Sequence, residues 1–163
     1  MAKPEEERFS LVTANMIEAV HYGVNSLHKK NLTTIDPDNI QFVGNLIKSF
    51  DKHFLIQEFI KKSYMHWDKV KERDESFFIT HASTVFSFLP EIYINMFTDL
   101  FTAVDNDGKK VVQQNLKDDI WGIFDAMVKI SIKYTHKMRA TKGSDFLSNV
   151  NVQQHATTWK LQL

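Results

Sequence analysis

Hydrophobic residues recur every three or four positions along most of the chain, which is the spacing of amphipathic helices. The first such run occupies residues 5–30, where Pro4 suits the first helical position and three glutamates suit the positive end of the helix dipole. Its apolar positions are Phe9, Val12, Met16, Val20, Val24 and Leu27. The pattern therefore predicts a first helix that buries one face.

A second apolar stripe follows Asp36-Pro37-Asp38, a sequence typical of a helix start. Its positions are Val43, Leu46, Ile47, Phe50, Phe54, Ile56, Ile60, Trp67 and Val70. The region is therefore either one long helix or two helices with a joint near Asp51. The charges in residues 68–75 alternate in sign, which predicts a solvated helix end.

Further helices are predicted in the second half of the chain. Residues 77–86 indicate a short, very apolar helix that ends at residues 88–90, and Pro90 opens the next one. Residues 105–108 predict a turn, in which Gly108 is free to take the left-handed conformation. A last helix from about Asp118 to Met138 is apolar around much of its circumference, as is typical of the central helix of a bundle.

The C-terminal residues change period. Residues 149–152 and 157–163 alternate between apolar and polar side chains, which predicts extended structure. We therefore expect a single-domain, all-α protein, with a bundle of five to seven helices in residues 1–142 built around the apolar helix at 120–134. An extended tail is expected in residues 143–163. Trp159, Leu161 and Leu163 make this tail apolar for a free end, so it either packs on its own bundle or docks on another subunit.

Composition agrees with one helical domain and excludes several classes of site. The chain has 163 residues, of which 43% are hydrophobic, and only 5 Gly and 3 Pro, too few turn residues for an all-β chain. Its 20 basic residues balance 20 acidic ones, which argues against general attraction to nucleic acid or to anionic membranes. The absence of cysteine excludes disulfides and zinc–thiolate sites. No segment has the apolar length of a signal peptide or of a membrane span, so we expect a cytoplasmic protein.

Metal and phosphate signatures are weak. Glu18 and His21 have the spacing that places two ligands on one helix face, but a di-iron bundle needs a second such pair. Asp105 and Asp107 resemble part of a calcium loop, whose terminal glutamate position is occupied by Gln114. The five glycines lie too far apart for a phosphate-binding loop. We therefore predict no metal site and no cofactor.

Catalytic and nucleic-acid candidates also have structural explanations. His81 lies within an apolar stripe, where a hydrogen-bonded core histidine is favoured over a general base. Residues 61–71 interleave lysines with aromatic side chains, as in a single-strand platform, but acidic neighbours cancel the charge and Trp67 fits the core stripe. We therefore predict a protein that is not an enzyme and does not bind nucleic acid.

Two segments carry a resemblance to known proteins. Residues 77–91, with the sequence FFITHASTVFSFLPE, and residues 120–134, with the sequence IWGIFDAMVKISIKY, resemble stretches of small uncharacterised helical proteins encoded by large DNA viruses of eukaryotes. The resemblance implies a viral origin and a non-enzymatic role in the virion or in the infected cytoplasm.

The pair Trp121-Gly122 is similar to a feature of the apoptosis-regulating Bcl family, in which a Trp-Gly pair opens the central hydrophobic helix beside a groove for a partner helix. Ile120 stands where that family has asparagine, and Ile123 stands where it has the arginine that binds an aspartate of the partner. The resemblance implies an open apolar groove beside Trp121.

The function predicted from these observations is that of a non-enzymatic viral structural or accessory protein that acts through protein–protein contacts and self-associates. The predicted partner-binding residues are Trp121, Gly122, Trp159, Leu161 and Leu163. One alternative is a Bcl-like groove binder that modulates host cell death. A further alternative is a helical protein that binds a metal or nucleic acid.

Overall fold

The protein is a helical bundle in a computed structural model that describes residues 3–87, 89–112 and 114–163. Its helices are α1 (Glu5–Lys29), α2 (Asp38–Ser49), α3 (Lys52–Ser63), α4 (Trp67–Lys71), α5 (Glu75–Val85), α6 (Glu91–Thr102), α7 (Gln114–Lys142) and α8 (Val152–Thr158). Seven of them have seven or more residues, and α4 is a short helix that follows a 3₁₀ turn. Within these ranges there is no strand, only one β-bridge between Val104 and Lys110. The prediction of an all-α bundle is confirmed, while residue 88, part of the predicted end of α5, lies outside the described ranges.

Two long helices, α1 and α7, pack along each other and form the centre of the bundle. Helix α1 also contacts α2, α3 and α6, and α7 also contacts α4 and α8, so the centre is shared between the two rather than built on α7 alone. The buried Ser131 and Thr135 hydroxyls of α7 donate to backbone carbonyls one turn earlier, which satisfies them within the apolar core. No helix in the described part of the chain is long and apolar enough to cross a membrane.

The joint between α2 and α3 lies at Asp51, where the sequence analysis placed a possible joint. Phe50 takes an extended backbone conformation, and the Asp51 carboxylate accepts the backbone N–H of Phe54 at 3.0 Å. This is an N-cap, which satisfies a donor that the helix itself leaves free. The region therefore forms two helices, and the cap at Asp51 is the local reason.

The prediction of an extended C-terminal tail is wrong. Residues 152–158 form helix α8, and the Asn151 side chain caps it by accepting the backbone N–H of Gln154 at 3.1 Å. Val152, Ala156 and Trp159 are buried at 5% exposure or less. Their positions are i, i+4 and i+7, which is helical spacing. The alternation in residues 157–163 concealed it because α8 ends within that stretch.

An arginine clasp folds the C-terminal segment back onto the bundle. Helix α7 ends at Lys142, which coincides with the predicted boundary of residues 142 and 143, and Gly143 follows with a φ of 99°. Arg139 donates from Nε to the carbonyl of Phe146 at 2.9 Å, and from Nη2 to the carbonyls of Leu147 and Val150 at 2.6 and 2.9 Å. One planar guanidinium therefore holds the three carbonyls that precede α8.

Ion pairs fix the ends of the helices. Lys117, only 4% exposed, places its Nζ 3.1 Å from Oε1 of Glu75, and the Nζ of Lys110 lies at the same distance from that oxygen. The hydrogen bond with Glu75 raises the pKa of Lys110. At the other end of the bundle, buried Glu5 accepts from the Nζ of Lys137 at 2.8 Å. These contacts tie the starts of α5 and α1 to the two ends of α7.

Candidate functional site

The Trp121-Gly122 pair does not border a groove. Trp121 is 4% exposed, and its ring centroid lies 5.5 Å from that of Phe78 and 5.8 Å from that of Phe124. Gly122 is exposed, and a Cβ built on it would meet no atom within 4 Å. Trp121 is in the wall of none of five main cavities in the described residues. The open groove that the Bcl resemblance implies is therefore not formed here, because aromatic neighbours cover the indole.

Most of the apolar C-terminal residues pack against the bundle of their own chain. Trp159 is 5% exposed and lies beneath the Nζ of Lys71, which is 5.0 Å from its ring centroid. Leu161 is half-buried, and only Leu163 of the three predicted contact residues is exposed. The C-terminal segment therefore packs on its own bundle, which was the first of the two alternatives. Trp159 is not accessible to a partner in this conformation.

An apolar groove of about 510 Å³ lies between α1 and α2, on a surface that was not singled out in the sequence. Its buried floor is formed by Ile17, Ile40, Gly44 and Ile47. Its walls are formed by Leu11, Ala14, Glu18 and His21 on α1 and by Gln41, Asn45 and Lys48 on α2. A volume of this size is within the range of roughly 300–1,000 Å³ that is usual for binding sites.

Small residues open this groove. Gly44 carries no side chain, and a Cβ built there would already lie 3.4 Å from Cγ2 of Ile17. Ala14 contributes only a methyl group to the opposite wall. The backbones of α1 and α2 can therefore approach each other at the floor while the walls above it stay apart.

The groove carries charges of both signs on its walls. Glu18 is on the α1 wall and Lys48 is on the α2 wall, and both are exposed. Neither side chain forms an ion pair with another described residue. Glu18 and His21, the pair with metal-ligand spacing, lie side by side on the α1 wall. Across the described ranges, no group of three or more His, Asp or Glu side chains is arranged to hold a metal ion.

Comparisons of the chain with protein-family models, with curated proteins and with solved structures find no match. No residue role is therefore transferred from another protein. The viral and Bcl resemblances therefore rest on short segments of the sequence alone.

A second cleft, of about 550 Å³, lies between α1 and the start of α7. About half of its lining is polar, with Asn15, Ser26, Asn115 and Asp119 among the polar residues. Glu18 lines this cleft as well as the groove, so its carboxylate stands on the ridge between them. Apolar residues also line this cleft, Leu27 and Leu116 among them, but the α1–α2 groove has the more apolar lining and is therefore the better candidate for a contact surface.

A polar network joins α1, α3 and α7 beside the core. The Tyr134 hydroxyl lies 2.8 Å from Nδ1 of His53 and accepts from Nε2 of Gln57 at 3.0 Å, while Nε2 of His53 lies 3.6 Å from Glu6. Burial raises the pKa of Tyr134, so its hydroxyl stays protonated and can donate to His53. None of the cavities described above contains these side chains. The arrangement acts as a cross-link between helices.

His81 is not a core residue. It is exposed at the surface of α5, where its ring stacks on that of Phe77 with centroids 4.3 Å apart and its Nδ1 lies 3.0 Å from the Phe77 carbonyl. The expectation of a buried histidine is therefore wrong. The stripe on α5 is carried instead by Phe78, Ala82 and Val85, which are 1% to 2% exposed.

Proposed function

We propose that this chain is a non-enzymatic protein that acts through protein–protein contacts, and that the groove between α1 and α2 is its contact surface. The observation that supports this most is the combination of an apolar floor with exposed polar walls. This is the usual composition of a contact surface, apolar at the centre and polar at the rim. The resemblance of residues 77–91 and 120–134 to viral proteins favours a structural or accessory role in a virus as part of the same proposal.

Leu11 is the side chain through which a partner would first be recognised. It lies on the α1 wall and is 48% exposed, outside the stripe that α1 buries. A partner that covered it would remove apolar surface from water, which is worth about 25 cal/mol for each Å². Two helices side by side also suit an apolar ridge from a third helix, a common mode of recognition.

The test is site-specific photo-crosslinking in cells that produce the chain. A photoreactive phenylalanine analogue at position 11 should give discrete protein adducts, because the partner seated in the groove lies against it. The matched control is the same substitution at Phe54, which is 47% exposed on α3 and lines none of the cavities described above. Adducts that are absent at position 11, or equally frequent at both positions, would count against the groove.

A further inference from the structure

We propose that the partner in this groove is a second copy of the same chain, related by a two-fold axis. This inference rests on the proposed function and names its partner. The two charged wall residues, Glu18 and Lys48, have opposite signs and lie on opposite helices of the same groove. An isologous contact requires a surface that is complementary to itself.

The geometry of a two-fold axis makes these charges match. An axis that lies in the plane of the contact, crosses the midpoint between Glu18 and Lys48 and is perpendicular to the line joining them exchanges the two positions between the copies. Each Glu18 then faces the Lys48 of the other copy, and the pairing occurs twice. The same axis runs along the groove, so the two apolar floors face each other and each Leu11 lies against the α2 wall of the other copy.

Nothing in the overall charge opposes this contact. The chain has 20 basic and 20 acidic residues, so two copies do not repel each other as a whole. Because Glu18 and Lys48 have no ion-pair partner among the described residues, an intermolecular pair breaks no pair within the chain.

The size of the surface predicts a weak dimer. The groove uses residues 10–21 of α1 and 40–48 of α2. At a rise of 1.5 Å per residue and a diameter of about 10 Å, two such helices side by side present a footprint on the order of 300–400 Å². Stable interfaces bury about 800 Å² on each partner, so this contact belongs to the small, concentration-dependent class.

Charge reversal gives a direct test, with sedimentation equilibrium over a wide range of concentrations as the measurement. The unaltered chain should change from monomer to dimer as its concentration rises. Glu18→Lys places two lysine pairs in the contact and Lys48→Glu places two glutamate pairs, so each variant should raise the dissociation constant about tenfold or more. Both residues are exposed, and circular dichroism checks that each variant keeps its helical content.

Rescue distinguishes this contact from any other. Mixing the two variants should restore a dimer with one copy of each, because both pairs then have opposite signs. The double variant, which exchanges the two charges within one chain, should regain the original dissociation constant. Leu11→Lys should also weaken the dimer, whereas Phe54→Lys, at a position of nearly equal exposure, should not.

Two outcomes would overturn the inference. The first is a chain that remains a monomer at every concentration, and the second is a dimer that neither reversal weakens or that mixing fails to restore. These failures are separable from failure of the proposed function. If position 11 forms an adduct with a different protein while the chain stays a monomer, the groove remains the contact surface but its partner is not a second copy. If the chain stays a monomer and no adduct forms, both proposals fail.

Discussion

The Arg139 clasp should decide whether the C-terminal segment stays on the bundle. The guanidinium donates to three backbone carbonyls, and a hydrogen bond to a charged group contributes about 1.5–3 kcal/mol. Three bonds on one half-buried side chain are not additive, so we expect Arg139→Ala to destabilise the docked segment by about 2–3 kcal/mol. A change of 1.4 kcal/mol is tenfold in an equilibrium constant, so local opening of α8 should become roughly 30- to 150-fold more frequent.

Amide hydrogen exchange measures this opening directly. The backbone N–H of Trp159 donates to His155 within the segment, and its exchange rate should rise by that factor in Arg139→Ala. Arg139→Lys should show most of the effect, because a single ammonium cannot span three carbonyls. Lys129→Ala is the control, since Lys129 is exposed on the same helix and forms no ion pair in the described ranges. Equal exchange in Arg139→Ala and Lys129→Ala would refute the clasp.

Three further changes test the packing of the bundle. Glu75→Gln should lower the free energy of unfolding by about 2–3 kcal/mol in urea titrations, because it leaves the buried ammonium of Lys117 without its counter-charge; a change below 0.5 kcal/mol, as expected for exposed Glu72→Gln, would contradict this. Gly23→Ala should cost about 1–3 kcal/mol and lower the thermal midpoint, because its methyl group would collide with a buried leucine of α6, and an unchanged midpoint would show that the leucine moves aside. The backbone N–H that Asp74 accepts lowers the pKa of its carboxyl below the unfolded value, so its stabilisation is complete above that value and is lost as pH falls through the folded pKa. In acid titrations monitored by circular dichroism, the Asp74→Asn variant should therefore lose less stability than the unaltered chain as the pH falls. An acid transition identical to that of the unaltered chain would contradict this role of Asp74.

The pattern of apolar positions was sufficient for most of the core. Phe9, Val20 and Val24 are buried as their spacing predicted, because a single helix face decides burial wherever the neighbouring helices cover that face. The same reasoning failed for His81, whose place in the stripe depended on where α5 meets the bundle. Periodicity indicates which face is apolar, but it does not define the edge of the covered region.

The prediction of an extended C-terminal segment failed for a different reason. Its helix has only seven residues, so a two-residue alternation on its flanks outweighed the i, i+4, i+7 spacing of its buried side chains. The groups that hold it, Arg139 and the Asn151 cap, act on backbone atoms and leave no hydrophobic pattern. Arg139 could have been noticed as one of only three arginines, placed in the last turns of the longest helix.

The contact surface could not be predicted from the position of one apolar residue relative to the apolar stripe of its helix. Phe54 belongs to the predicted apolar stripe and Leu11 does not, yet the two are exposed to almost the same extent, so exposure alone does not separate a binding position from an ordinary surface position. What separates them is the groove beside Leu11, which the small residues Ala14 of α1 and Gly44 of α2 help to line. That juxtaposition depends on the register of two helices joined by a loop, and each helix carries only half of it. If charge reversal at Glu18 and Lys48 behaves as proposed, the same register also determines how two copies recognise each other, because it sets one acidic and one basic side chain across a shared apolar floor.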